Sequence, residues 1–276
     1  MTILDSPIRR LDVVDLPECL DLAVSRDWAR AERQWRMLFE VGEAYGIEDP
    51  SGGLAACGIL TNLGDGLAAI SMVVVAERFG RQGLGQRIMR HTIERAGQRT
   101  VLLHASTLGR PMYEKLGFRH VSSATNFFGY FDAAAPLTTK QVDDSPGLRR
   151  LDAEVTGSER GALLDVLLRE AEQVRIVETG GKVTGYATGT RHENLTHIGP
   201  VIAADEPSAR ALIADIAAAV EGPVRIEIDT RNPDLLEWAE KGGLAPGVVA
   251  PCMVFGDREL PGDVARRYAP VLRALG

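Results

Sequence analysis

The chain has 276 residues, of which 45% are hydrophobic and 25% charged, a composition typical of a folded globular protein with one large or two ordinary domains. A net charge of −7 argues against a nucleic-acid partner, which would favour a basic surface. No stretch reaches the roughly 18 unbroken apolar residues of a membrane span, and residues 1–10 lack the apolar core of a signal peptide, so we expect a cytoplasmic protein with no membrane partner.

The cysteines give no sign of a disulfide framework or a metal site. Cys19, Cys57 and Cys252 are odd in number, far apart in the sequence and without a Cys-x-x-Cys pair. We therefore expect three buried thiols and no bound metal.

The first elements in chain order are a strand and two helices. Residues 8–13 are predicted to form a first strand, and Asp15 followed by Pro17 marks the start of a helix. A second helix is predicted over residues 28–39, because their apolar members lie on one stripe.

An antiparallel meander of three strands follows. Its strands are predicted at residues 41–47, 53–63 and 66–76, and the Gly-Asp-Gly sequence at residues 64–66 marks a hairpin turn.

The third of these strands ends in a glycine-spaced turn that leads directly into a helix. The turn reads Gly-Arg-Gln-Gly-Leu-Gly from residue 80, and Leu84, Ile88 and Met89 give the helix an apolar face. The free N–H groups and the dipole of the first helical turn would bind a phosphate or pyrophosphate, with Gly83 and Gly85 allowing close approach. Such a turn also serves simply to pack a helix on a strand, so both interpretations are open for this stretch alone.

A second motif follows the strand predicted at residues 101–105. From Ser106 to Phe118 the chain reads Ser-Thr-Leu-Gly-Arg-Pro-Met-Tyr-Glu-Lys-Leu-Gly-Phe. Together the two motifs resemble the signatures of the GNAT superfamily of N-acetyltransferases. The first resembles that family's (Arg or Gln)-x-x-Gly-x-(Gly or Ala) acetyl-CoA loop, and the second resembles its Asn-x-x-Ala-x-x-Leu-Tyr-Glu-Lys-Leu-Gly-Phe helix. With a last strand at residues 120–131, the element order is that of a complete GNAT domain.

The resemblance implies a role for each part of the two motifs. Tyr113 would be the general acid toward the leaving coenzyme A thiolate, in a direct attack by the amine within a ternary complex. Main-chain N–H groups of the strand would bond the thioester oxygen and the pantetheine arm, and those of the turn would hold the pyrophosphate. The residues expected to bind acetyl-CoA are Val73, Val74, Val75, Gly80, Arg81, Gln82, Gly83, Leu84, Gly85, Gln86, Ser106, Gly109 and Met112.

Two positions depart from the family pattern. Gly80 stands where Arg or Gln is usual, and we expect the loop to tolerate this because it binds phosphate mostly through main-chain N–H groups. Ser106 stands where Asn is usual, and its hydroxyl cannot supply the paired donor and acceptor of an amide.

The second half of the chain repeats the first in altered form. A single ungapped shift of 126 residues (232 minus 106) aligns Ser106 with Asn232, Tyr113 with Ala239, Gly83 with Ala209 and Gly85 with Ala211. We therefore predict two tandem GNAT-like α/β folds, each with a mixed, mostly antiparallel sheet flanked by helices. The expected bounds are 1–132 for an acetyl-CoA-binding domain, 133–146 for a linker and 147–276 for a degenerate copy that ends in a closing helix over residues 263–275.

The second copy lacks the features that the chemistry needs. Asp205 and Glu206 occupy the place of the glycine loop and would repel a phosphate, and Ala239 supplies no hydroxyl. We expect this half to be non-catalytic.

The general base and the acceptor are less defined. The strand at residues 68–76 carries no carboxylate, which leaves Glu43, Asp65, Glu77 and His104 as candidates, although an isolated strand histidine such as His104 is more often structural. Trp28 and Trp35 either border the acceptor site or pack in the core.

The leading hypothesis is an acetyl-CoA-dependent N-acetyltransferase of a small-molecule amine, as a monomer or homodimer. A non-catalytic coenzyme A sensor or scaffold, or an enzyme that uses a longer acyl-CoA, are the alternatives.

Overall fold

A computed structural model describes residues 3–132 and 138–275. Its helices are α1 (Leu16–Val24), α2 (Glu32–Val41), α3 (Leu84–Ala96), α4 (Arg110–Lys115), α5 (Pro146–Thr156), α6 (Gly161–Glu170), α7 (Glu206–Ala219) and α8 (Pro233–Lys241). Its strands are β1 (Ile8–Leu11), β2 (Gly42–Glu48), β3 (Leu54–Asn62), β4 (Leu67–Val75), β5 (Thr100–His104), β6 (Phe118–Gly129), β7 (Lys140–Gln141), β8 (Ala171–Thr179), β9 (Lys182–His192), β10 (Leu195–Ala203), β11 (Val224–Asp229), β12 (Ala245–Phe255) and β13 (Arg267–Ala269).

These strands form one 13-stranded sheet. Its order is β1-β2-β3-β4-β5-β12-β6-β11-β10-β9-β8-β7, with β13 paired to β10 beside this path. Within the described residues, β4 with β5 and β10 with β11 are parallel, and the other pairs are antiparallel. The predicted mixed, mostly antiparallel sheet is therefore confirmed, but the sheets of the two halves are continuous.

The continuity results from an exchange of strands. β12, from the end of the chain, lies between β5 and β6, where Cys252 pairs with both His104 and Ser122. β6 in turn pairs with β11, which sets Asn126 opposite Glu227. Each half thus completes the sheet of the other.

The helices lie on both faces of the sheet according to their apolar stripes. Helices α1, α2, α5 and α6 share one buried cluster with the last residues of the chain, and Leu102 of β5 belongs to it. The next residue, Leu103, points to the opposite face and packs with α3 and α4. Helices α7 and α8 pack with Ile226 of β11. The pairing of Ile226 with Phe127 of β6 places it on the same face of the sheet as Leu103. The three cysteines are buried thiols, as predicted.

Two sequence-based elements differ from the structure. The closing helix predicted over residues 263–275 is wrong: a 3-10 turn at Val264–Arg266 leads into β13, and Pro270 follows where a helix would need a main-chain donor. Its apolar residues are buried as an amphipathic helix would bury them, but in an extended and turning chain. The second helix begins at Glu32 rather than at residue 28.

The predicted linker lies partly outside the described residues, which omit 133–137. Within it, Lys140–Gln141 pair with β8 as a short edge strand. In the part of the chain that the structure describes, no helix is long and apolar enough to cross a membrane.

Candidate active site

The loop between β4 and α3 leaves the N-terminus of α3 open. A 3-10 helix at Glu77–Phe79 is followed by an exposed segment, residues 80–83, and Gly83 caps α3 at φ 88°. This cap makes no side-chain hydrogen bond to the first turn, so the helix N–H groups and the positive end of its dipole are available to an anion. The φ value requires glycine or a strained residue at position 83.

Gly85 has a different role from Gly83. It is buried, and a Cβ there would lie 3.2 Å from Sδ of Met112 and 3.4 Å from Cγ2 of Val75. Protein fills the space beside Gly85, so its missing side chain lets α3 pack on β4 and α4. This corrects the expectation that Gly85 gives a ligand room.

A bulge separates the ends of β4 and β5. The two strands pair only from Leu67 to Ala69, opposite Thr100 to Leu102. Beyond that point Met72 adopts φ 52° and the register of β4 on β3 shifts. Val74 and Val75 stay paired with β3, so the edge of β4 that faces β5 is left without a strand partner among the described residues.

Tyr113 lies in α4, beside this opening. Its side chain is buried near Phe118, with ring centroids 6.0 Å apart, and its hydroxyl makes no hydrogen bond within the described residues. Burial raises the pKa of Tyr113 to about 12, because the phenolate would be poorly solvated. The hydroxyl therefore stays protonated at neutral pH, as a general acid must.

Ser106 and Gly109 organise the turn that starts α4. The Ser106 hydroxyl accepts a hydrogen bond from the Gly109 N–H at 3.1 Å, and its carbonyl accepts from the N–H of Arg110 at 2.9 Å. Ser106 thus caps the turn locally.

His104 ends β5 at the same opening. Strand pairing sets its side chain on the face of Leu102 and Cys252, which α1, α2, α5 and α6 share with the chain end. Its Nδ1 lies 3.0 Å from the main-chain oxygen of Arg273. On the other side of the opening, Ser71 of β4 points to this face as well, and its buried Oγ has no hydrogen-bond partner in the described chain.

The other candidate bases lie elsewhere. Glu43 accepts hydrogen bonds from Tyr45 and from Arg95, and Tyr45 packs with α3 on the opposite face of the sheet. Asp65 is exposed in the turn before β4, at the far end of that strand. Glu77 is 87% exposed and pairs with Arg26 at 3.9 Å.

The second half has its corresponding opening filled. β10 pairs in parallel with β11 only from Thr196 to Ile198, and its register on β9 shifts just beyond. Val201 and Ile202, which pair with β9 on one edge, pair with β13 on the other. The shift of 126 residues relates Val201 to Val75 (201 minus 126), so β13 covers the edge that β4 leaves open.

The helix that follows β10 is also closed to an anion. The Asp205 carboxylate accepts a hydrogen bond from the Ser208 N–H at 2.9 Å and so caps α7. The Ser208 side chain, and after it that main-chain bond, hold the pKa of Asp205 below its usual value, which keeps a negative charge there. Ala239, at the place of Tyr113, is buried.

Comparison with known proteins defines the class. Two family models, each described as an acetyltransferase (GNAT) domain, match residues 54–131 and 148–269. The chain therefore belongs to the GNAT acetyltransferases, with two such domains in tandem.

Individual relatives agree with this assignment. The chain is 27% identical over 253 residues to the uncharacterized N-acetyltransferase YitH of Bacillus subtilis (strain 168), across 89% of each chain. Its fold is similar to that of a putative acetyltransferase from Pyrococcus horikoshii, with a TM-score of 0.85 and 18% identity over 100% of this chain and 98% of that one. A tandem GNAT protein from the clavulanic acid biosynthesis pathway matches with a TM-score of 0.63 and 12% identity over 92% and 100%.

Sequence reasoning missed the part that the chain end plays. Residues 267–269 form a strand of the second half, and Arg273 contacts His104 of the first half. The local sequence pattern of residues 267–275 predicts neither. The one available signal was Pro270, which argues against the predicted helix.

Proposed function

We propose that the chain is an acetyl-CoA-dependent N-acetyltransferase whose first half transfers an acetyl group to the primary amine of a small molecule. One observation carries the proposal: the open end of α3, the unpaired edge of β4 and Tyr113 surround the point where β4 and β5 separate. Met112, the neighbour of Tyr113, contacts Gly85 in the first turn of α3, which ties the acid to the anion loop.

Each part would contribute a separate step. Main-chain N–H groups of Arg81, Gly83, Leu84 and Gln86 would hold the pyrophosphate, whereas those of Gly80 and Gln82 already donate to the carbonyl oxygens of Glu77 and Phe79. The free edge at Val73 to Val75 would pair with the pantetheine amides as a strand would. Tyr113 would then donate its proton to the leaving thiolate, a contribution of roughly 10² to 10⁴ in rate for general acids.

The second half would bind no coenzyme A. β13 covers the edge of β10 and Asp205 occupies the end of α7, so both contacts that the first half offers are taken. The second half instead supplies β12 to the sheet beside β5. We propose one active site per chain, with domains at 1–132 and 147–276.

The acceptor and the assembly are part of the proposal. We propose a monomer or homodimer, and the net charge of −7 agrees with the absence of a nucleic-acid partner. A cytoplasmic location remains a prediction from the sequence. A coenzyme A sensor, or an enzyme for longer acyl chains, would use the same loop, because the loop contacts the nucleotide end of the molecule.

Calorimetry and a thiol-release assay together test the function. We expect the pure chain to bind coenzyme A, and to release thiol from acetyl-CoA only when an amine is present. Binding without amine-dependent release would favour the sensor, and no binding would contradict both. Faster release from a longer acyl-CoA than from acetyl-CoA would identify the third alternative.

A further inference from the structure

The imidazole of His104 is held in one orientation by the end of the chain. Its Nδ1 lies 3.0 Å from the main-chain oxygen of Arg273, and a carbonyl oxygen can only accept a hydrogen bond. Nδ1 must therefore carry the proton, and Nε2 keeps its lone pair. Within the described residues Nε2 has no hydrogen bond.

The segment that supplies this carbonyl is itself anchored. Nε of Arg273 lies 3.5 Å from Oε1 of buried Glu227. The same carboxylate pairs with Arg225 at 2.8 Å through Oε1 and with His197 at 2.6 Å through Oε2. The Leu275 N–H donates to the Leu272 oxygen at 2.9 Å, which closes a turn around Arg273. The second half thus orients a side chain of the first.

The surroundings of His104 keep its imidazole neutral. Burial lowers its pKa below the ordinary value, because the charged ring would lose solvation, and the Arg273 guanidinium adds to this. The Arg273 carbonyl and the carboxylates of Glu227 and Asp229 act in the opposite direction. The neighbouring Cys252 thiol is also neutral near pH 7, since burial raises its pKa to about 11.

We propose that His104 is the general base of the transfer and that the acceptor is a weakly basic amine, such as an α-amine or an aromatic amine. The inference rests on the proposed acetyl transfer. His104 Nε2 takes a proton from the acceptor ammonium and passes it to solvent, and the freed lone pair then bonds to the thioester carbonyl carbon. The carbon–sulfur bond breaks, Tyr113 gives its proton to the sulfur, and the second proton, which the new amide nitrogen loses, restores Tyr113 through solvent.

The position of His104 favours it over the carboxylates. It lies two residues beyond Leu102, the last residue of β5 paired with β4, on the sheet face that α1, α2, α5 and α6 share with the chain end. Ser71 faces the same side from β4 with an unpartnered hydroxyl, which would accept or relay a proton at this point. Glu43, by contrast, lies on the opposite face.

The acceptor class follows from the choice of base. Burial places the His104 pKa below the ordinary histidine value of about 6.5, whereas a lysine-like amine has about 10.4, so that transfer would be unfavourable by more than roughly 10⁴-fold. An α-amine, with a pKa of about 7.7–8.0, reduces the minimum penalty to roughly 20-fold. A base of this strength suits a weakly basic nitrogen.

Substitution of His104→Gln tests the base, with His120→Gln as the matched control, because His120 is an exposed histidine bonded to Ser123. Alaninamide and Nα-acetyl-lysine serve as α-amine and lysine-like probes. We expect the native chain to favour alaninamide by at least about 10-fold in kcat/KM. His104→Gln should lower kcat at least about 10-fold with an unchanged KM for acetyl-CoA, and it should remove the fall in rate as pH drops through the histidine pKa.

Two further measurements keep the outcome decisive. If His104→Gln retains more than half of kcat at every pH, or if the lysine-like probe is the better acceptor, the proposal is overturned. Nitrogen NMR of the labelled native chain reports the tautomer directly: a proton on Nδ1 supports the proposal, and a proton on Nε2 overturns it. No coenzyme A binding and no thiol release from the native chain would instead refute the proposed function itself.

Discussion

The ring of Tyr113 lies against Gly109 so closely that a Cβ at position 109 would come within 2.9 Å of Cε2 and 3.3 Å of Cζ, the carbon that carries the hydroxyl. The backbone of Gly109 has φ −81°, which any residue can adopt. The glycine is therefore required by the tyrosine ring rather than by the turn, and it fixes where the hydroxyl lies.

Gly109→Ala should consequently displace the phenol without removing it. We expect kcat to fall at least about 10-fold, as for loss of a positioned acid, while coenzyme A affinity measured by calorimetry changes much less. Gly161→Ala is the control, because a Cβ there meets nothing within 4 Å. Equal activity of the two variants would contradict the positioning role.

Tyr113→Phe should remove the acid itself. The expected loss in kcat is at least about 10-fold, and Tyr130→Phe, at a 73% exposed position, should have no effect. Because the pKa of Tyr113 is raised to about 12, its proton is retained as pH rises through the neutral and alkaline range. The rate of the native chain should therefore show no alkaline loss from this group below about pH 11. If thiol release by Tyr113→Phe equals that of the native chain, Tyr113 is not the acid.

Local sequence patterns predicted the parts of the site that are themselves local. The glycine at φ 88° before α3 and the Tyr113 helix occupy short stretches whose residue types follow from nearby backbone and packing needs. The shift that aligns Tyr113 with Ala239 likewise relates α4 to α8, and β4 to β10, in the structure.

Contacts between distant residues were not predictable in this way. The pairing of Cys252 with His104 and the bond from His104 to Arg273, 169 residues away, depend on how two similar sheets join. Either half could have kept its own last strand with the same alternation of apolar residues. The apolar tail residues are mostly buried, as a packed helix would bury them, yet the spacing of Tyr268 and Val271 fits a helix as well as the observed strand and turn.

One coenzyme A should bind per chain, at the end of α3. Gly83→Val forces a branched side chain into φ 88° and should weaken coenzyme A binding at least about 10-fold. Gly97→Val is the control, because it also forces a branched side chain into a positive φ, 65°, but at the other end of α3. Calorimetry gives both the affinity and the number of sites. Two sites per chain, or equal losses for the two variants, would be inconsistent with the assignment.

The buried pair of Asp152 and Arg160 should hold the second half together. Arg160 donates to both carboxylate oxygens, at 2.7 and 2.9 Å, and both side chains are at most 4% exposed. Asp152→Asn leaves the guanidinium without its counter-charge and should lower the free energy of unfolding by about 3–5 kcal/mol. Asp165→Asn, which breaks an exposed pair with Arg149, should cost at most about 1 kcal/mol. Urea unfolding measures both, and similar values for the two would show that burial of the pair does not matter.

Trp35 belongs to the core rather than to a ligand pocket. It is 1% exposed, packs near Phe39 with ring centroids 6.5 Å apart, and lies in the cluster shared by both halves, whereas Trp28 is 42% exposed. Trp35→Ala leaves a cavity and should lower the free energy of unfolding by about 3–5 kcal/mol, while Trp28→Ala should change it by less than about 1 kcal/mol. The readouts are urea unfolding and the KM for the amine. A raised amine KM for Trp35→Ala with native stability would reverse the assignment, because only a pocket wall could lose binding without loosening the fold.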